Sequence, residues 1–140
     1  MRLPNLICTL IFLGVVAACD RSTPSTPTSA ISAFTGAWRS PATTTPAGNC
    51  TNTTWSITAV TASTATINYS STCAGVPVVG TANATLNGAT LNWTTTGTAS
   101  NGCAYALSGT ATPDSASDLR VAYSGTVCGL PISGTEILRR

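Results

Sequence analysis

Val78-Val79-Gly80-Thr81-Ala82-Asn83-Ala84-Thr85-Leu86-Asn87-Gly88-Ala89-Thr90-Leu91-Asn92-Trp93-Thr94 is the stretch that decides the fold of this chain. On both sides of Asn87-Gly88, small or apolar residues alternate with Thr and Asn, the spacing of a strand with one dry face and one wet face. Asn-Gly suits the positive φ angles of a two-residue type I′ turn, so the segment reads as a β-hairpin. With those two residues at the tip, Ala84 lies opposite Leu91 and Ala82 opposite Trp93. Val78, Gly80, Ala82, Ala84 and Leu86 then share the inner face with Leu91 and Trp93. Gly129-Leu130 reads as a second such tip, with Val127 opposite Ile132 and Gly125 opposite Gly134.

The same period extends outward from this hairpin. From Phe34 onward the chain is rich in Thr and Val and has no sustained 3.6-residue apolar spacing. About eight strands are expected, over Phe34–Ser40, Thr53–Val60, Thr64–Ser71, Pro77–Leu86, Ala89–Thr98, Cys103–Thr112, Leu119–Val127 and Ile132–Leu138. Consecutive strands joined by short turns form an antiparallel up-and-down meander. A meander of this size removes its exposed edges by closing into a small barrel, with a β-sandwich as the alternative. The fold class is therefore all-β. Phe34-Thr35-Gly36-Ala37-Trp38 resembles the opening strand of lipocalin and avidin barrels, a resemblance that spans about five residues. It implies a tryptophan laid across the barrel floor. The expected interior holds Phe34, Trp38, Trp55, Ile57, Ile67, Tyr69, Trp93, Tyr105, Leu107, Val121 and Tyr123, with Gly80, Gly109, Gly125 and Gly134 between the rings. Gly109 is placed near Tyr123 and Gly125 near Leu107, which favours complementary packing and a filled core.

Residues 1–33 have a different character. Arg2 precedes the apolar run Leu6 to Val16, which ends in small residues at Ala17-Ala18-Cys19, the order of an export signal. The run is too short for a transmembrane helix before Asp20 and Arg21 interrupt it. Val16-Ala17-Ala18-Cys19 resembles the lipobox of bacterial lipoproteins. The resemblance implies removal of residues 1–18, acylation of Cys19 by palmitate-type chains, and anchorage in the cell envelope facing the periplasm. Asp20 resembles an inner-membrane retention signal. Residues 19–33 then form a lipidated Ser/Thr/Pro-rich tether, long enough to hold the domain of residues 34–140 roughly 40 Å from the bilayer at an extended rise of about 3.1 Å per residue.

Export leaves Cys50, Cys73, Cys103 and Cys128, an even number in an oxidising compartment, which favours two disulfides. With no Cys-x-x-Cys and no histidine, a metal site is not expected. Meander topology puts all four cysteines at one rim. The natural pairs are Cys50 with Cys73 and Cys103 with Cys128, although three connectivities remain open. Strict alternation puts the members of each pair on opposite faces, so a bulge or a loop position has to reunite them. The chain enters and leaves at the other rim, so the cysteine rim faces away from the membrane and carries the longer connections, 41–52, 72–76 and 99–102.

Chemistry is bounded by what is missing. The processed chain has no histidine and no lysine, and its only acids are Asp20, Asp114, Asp118 and Glu136. Neither Ser-His-Asp nor Ser-Lys activation can be assembled, so an enzyme is not expected, nor is a cofactor. Asp114 and Asp118 read as turn residues of Pro-Asp-Ser-Ala-Ser-Asp. There is no phosphate-binding glycine loop and no basic cluster, so no nucleic-acid partner is implied. Glu136 shares a face with Ile132, Gly134 and Leu138, opposite Tyr123; because Glu is seldom buried, a shifted or frayed final strand that exposes it to water is the expectation. Five Asn-x-Ser/Thr sequons, at Asn49, Asn52, Asn68, Asn83 and Asn92, follow from composition.

Two functions fit. The first is a non-enzymatic envelope lipoprotein whose barrel presents loops to a protein or cell-wall partner, loosely analogous to small periplasmic protease inhibitors. The alternative is a carrier of a small apolar or aromatic ligand, touched by Trp38, Trp55, Tyr69, Trp93, Tyr105 and Tyr123. A cavity above about 300 Å³ at the cysteine rim favours the carrier, and a filled interior favours the surface.

Overall fold

A computed structural model describes residues 30–41 and 47–140. The lipobox, Cys19 and most of the tether lie outside the described residues. Nine strands form one antiparallel sheet: β1 (Gly36–Arg39), β2 (Ala47–Gly48), β3 (Cys50–Ala59), β4 (Thr64–Cys73), β5 (Val76–Asn87), β6 (Thr90–Thr98), β7 (Ala104–Pro113), β8 (Asp118–Val127) and β9 (Leu130–Arg139). Each long strand pairs with the next in sequence, and β9 returns to meet both β1 and β2, which closes the barrel. Eight strands match the expected ones. The ninth, β2, is a two-residue strand that extends closure along β9 after β1 has ended.

Register departs from expectation at both hairpins, by two residues each time. Leu86 pairs with Leu91 and Ala84 with Trp93, so the tip is Gly88-Ala89 rather than Asn87-Gly88. Gly88 has φ +61° while Asn87 and Ala89 keep negative φ. This places glycine at the first central position, as a type II′ turn requires. The last hairpin turns at Cys128-Gly129, with φ of +54° and +77°, and pairs Val127 with Leu130 and Gly125 with Ile132. Positive φ at both central residues is the type I′ condition. A shift of two leaves every side chain on its assigned face, which is why the predicted interior survives.

Three further readings are corrected. The connection at 72–76 contracts to the two-residue turn Ala74-Gly75, both at positive φ. Ile31–Ala33, assigned to the tether, forms a 3-10 turn whose Ile31 packs against the core. Glu136 pairs with Val121, leaving Tyr123 opposite Gly134, and it is buried at 9% exposure rather than solvated. Strand β9 is intact through Arg139, so no fraying is available to expose it.

The interior divides into two chemistries. The half nearest the chain ends is apolar: Phe34, Ile67, Leu91, Leu119 and Leu138 are fully buried, with Trp38 across them. Trp38 Nε1 donates to the Phe34 carbonyl (2.7 Å), and the Arg140 guanidinium lies 4.2 Å from the Trp38 ring centroid. Arg140 also donates to the carbonyls of Ala33 and Thr35, tying the C-terminus over the chain's point of arrival. Burial of such side chains is worth about 1.5–3 kcal/mol each before entropy, so this half anchors the fold. The half toward the cysteines carries hydroxyls, rings and Glu136. Outside, Thr58, Thr66, Asn83, Thr94 and Ser108 follow one another around the wall in register, giving it an uncharged hydroxyl and amide surface.

Candidate functional site

The cysteine rim is built by two bridges, Cys50–Cys73 and Cys103–Cys128. The parity conflict read from the sequence is resolved differently in each. Between Thr51 and Thr54 the register of β3 on β4 slips by one, with Asn52 at φ +54°. That bulge turns Cys50 inward, directly opposite Cys73, while Thr53 keeps the inner face it shares by alternation with Trp55 and Ile57. The second pair uses a loop position: Cys128 sits in the turn at positive φ, and Cys103 precedes β7.

Beneath the rim, Glu136 sits on β9 between the stretches paired with β2 and with β1. Thr53 and Ser40 hydroxyls bond its carboxyl, yet burial outweighs them and holds the group above the ordinary carboxylate range. Thr53 Oγ1 also lies 2.9 Å from Ser71 Oγ, which donates to the Thr51 carbonyl. Tyr123 Oη accepts from the Cys50 amide at 2.9 Å, and burial raises its phenol, opposed by that hydrogen bond. A second chain runs through Tyr69, whose hydroxyl donates to Tyr105 Oη (2.9 Å) and contacts Thr95 Oγ1 (3.1 Å). Tyr105 and Thr95 pass donors on to the carbonyls of Val79 and Thr81. Desolvation holds the Tyr69 phenol well above its usual value, so its hydroxyl is a neutral hydrogen-bonding group at ordinary pH.

Glycines make room for these rings. A Cβ at Gly80 would meet the Tyr69 and Tyr105 hydroxyls, and one at Gly109 the Trp93 ring. Gly109 pairs with Tyr123 and Gly125 with Leu107, as the sequence suggested. Trp55 and Trp93 pack edge to face, their centroids 5.3 Å apart. These rings, with Tyr69, Tyr123, Thr53 and Glu136, line a cavity of only about 30 Å³ that reaches the Cys50–Cys73 bridge. Trp38 does not reach it, being held in the floor. Sequence reasoning missed Thr53 and Ser71 as interior groups, although they share the inner parity of Trp55 and Tyr69, because it selected interior positions by apolar and aromatic residue type. Asp114 and Asp118 instead pair at the surface with Arg120 and Arg139, while the hydroxyl of Ser115 accepts from the turn amides of Ser117 and Asp118.

No family model and no curated protein matches the sequence. Among solved structures, EF1p2_mFAP2b bound to DFHBI is similar, with 21% identity and a TM-score of 0.53 over 78% of this chain and 94% of that one. The likeness is one of fold. It supports the closed barrel and leaves function to the chemistry of this chain's own residues.

Proposed function

We propose that this chain is a lipid-anchored, non-catalytic interaction module of a bacterial envelope. Residues 1–18 are removed, Cys19 carries the lipid, and the tether holds the barrel with its disulfide-pinned rim facing away from the membrane. The observation that carries the reading is the filled interior: about 30 Å³ is far below the roughly 300 Å³ of a ligand cavity, which leaves the surface as the place for a large partner. Loops fixed on a rigid scaffold are the usual place for such contacts. At this rim Leu130 stands 55% exposed, an apolar side chain beside the Cys128 turn. The scarcity of proton-transfer groups supports a binding role over catalysis. Two measurements test it. Cys19→Ala should move the protein from the membrane to the soluble fraction of the envelope. A photo-crosslinker at position 130 should give a defined adduct in intact cells, whereas one at position 62, on the opposite rim, should not; equal labelling from both would refute the polarity.

The alternative, a carrier of a small apolar or aromatic ligand, is favoured by the similar barrel having been solved with a small molecule bound. It requires the rings around Trp93 to move apart, since the space between them is too small for such a ligand.

A further inference from the structure

The buried groups in the cysteine half break two rules that a merely space-filling core keeps. Glu136 is a carboxyl taken from water with no cationic partner. Among the described residues Arg120 pairs with Asp114, Arg139 with Asp118, Arg140 lies on Trp38 at the far end, and Arg39 is exposed on β1, where alternation puts it on the face opposite the buried Trp38. Trp93 Nε1 is buried and, among the described residues, has no hydrogen-bond partner. Both side chains line the same cavity, and so do Trp55, Tyr69 and Tyr123. An acid and several ring faces around one small space are the elements that receive an organic ammonium: the carboxylate takes the charge and the rings take the cation's field. The indole N–H asks in addition for an acceptor atom.

Size narrows the occupant. A water needs roughly 10–15 Å³ by this measure, so about 30 Å³ holds the equivalent of two or three waters. That is the bulk of about four bonded heavy atoms, the size of a two-carbon amino alcohol, and it is too small for the seven heavy atoms of choline. The cavity also meets solvent at its upper wall, where Tyr69, Tyr123 and Glu136 keep 8, 8 and 9% exposure, against 0% for floor residues Ile67, Leu91 and Leu138.

We propose that this cavity binds a small primary ammonium headgroup bearing an oxygen acceptor, an amino-alcohol class of ligand, with Glu136 taking the ammonium and Trp93 Nε1 the oxygen. The site is independent of the rim surface proposed above, and either can fail alone. The test is a titration of the processed protein with ethanolamine, read by the three indole N–H resonances in a ¹⁵N-correlated spectrum. Trp55 and Trp93 signals should shift saturably while that of Trp38, hydrogen-bonded in the floor, stays still. Ethanol, propionate and choline, which lack the charge, reverse it or exceed the volume, should give no saturable shift. Glu136→Gln, with folding checked by its near-ultraviolet spectrum, should weaken the response at least tenfold. If that variant does not fold, the wild-type comparison of ethanolamine with ethanol decides alone. Glycerophosphoethanolamine, whose oxygen is esterified, separates the sources: a response to it as strong as to ethanolamine assigns the site to a lipid headgroup. Ethanolamine producing no saturable shift, or choline and propionate matching it, would overturn the proposal.

Discussion

Removing each disulfide separately distinguishes what the two bridges contribute. Cys50 and Cys73 are 23 residues apart and Cys103 and Cys128 are 25 apart, so the loops released on cutting are nearly equal. A chain-entropy estimate then gives about 3.5 kcal/mol for each, differing by only about 0.1 kcal/mol. Burial breaks the tie. Cys50 and Cys73 are 4% and 1% exposed and face the core, whereas Cys103 and Cys128 are half-buried at the rim. Replacing the first pair by alanine also leaves unfilled space, adding roughly 1 kcal/mol. The Cys50→Ala/Cys73→Ala protein should therefore lose about 4.5 kcal/mol and the Cys103→Ala/Cys128→Ala protein about 3.5 kcal/mol. At about 4 °C per kcal/mol for a domain of this size, the melting midpoints should fall by roughly 18 and 14 °C. Urea unfolding followed by tryptophan emission gives both numbers on one scale. A smaller loss for the Cys50–Cys73 pair, or a loss below about 1 kcal/mol for either, would refute the reasoning.

Burial lifts the Glu136 carboxyl above its unfolded value, so the folded state favours the protonated form. The stability this contributes is complete below the unfolded carboxylate range and is lost as pH rises through the folded value; Glu136→Gln should flatten that part of a pH-dependent urea series. Gly88→Ala should destabilise the barrel by about 1–2 kcal/mol, because φ of +61° is strained for an L-residue, and D-alanine at the same position should restore stability in a semisynthetic protein. Deleting Arg140 removes its stacking on Trp38 and its two carbonyl bonds, and should lower stability by about 1 kcal/mol, with a change in near-ultraviolet dichroism from Trp38.

The face of nearly every residue was legible because it depends only on odd or even position. Both hairpin registers were misread by two, yet Leu91, Trp93, Tyr123 and Ile132 still point inward, since an even shift preserves faces. Turn type was harder to read: Gly88 serves a II′ turn as well as an I′ turn, and Cys128 at positive φ carries no sequence signal of its own. The bulge at Asn52 was anticipated only as a necessity, from Cys50 and Cys73 falling on opposite parities. Thr53 and Ser71 were overlooked for another reason: their parity, shared with Trp55 and Tyr69, places them inside, but their hydroxyls did not mark them as core residues. Glu136 shows where composition misleads. Its position predicted the inside and its residue type the outside, and position prevailed because β9 is held by β8 along its whole length.

Intact mass of the protein extracted from the envelope, before and after reduction, is the most direct check on the anchored, doubly bridged barrel. The account predicts a chain beginning at Cys19, heavier by a diacylglyceryl group and its acyl chain, that gains the mass of four hydrogens when both bridges are reduced. A chain still carrying residues 1–18, an unmodified Cys19, or no mass gain on reduction would contradict it.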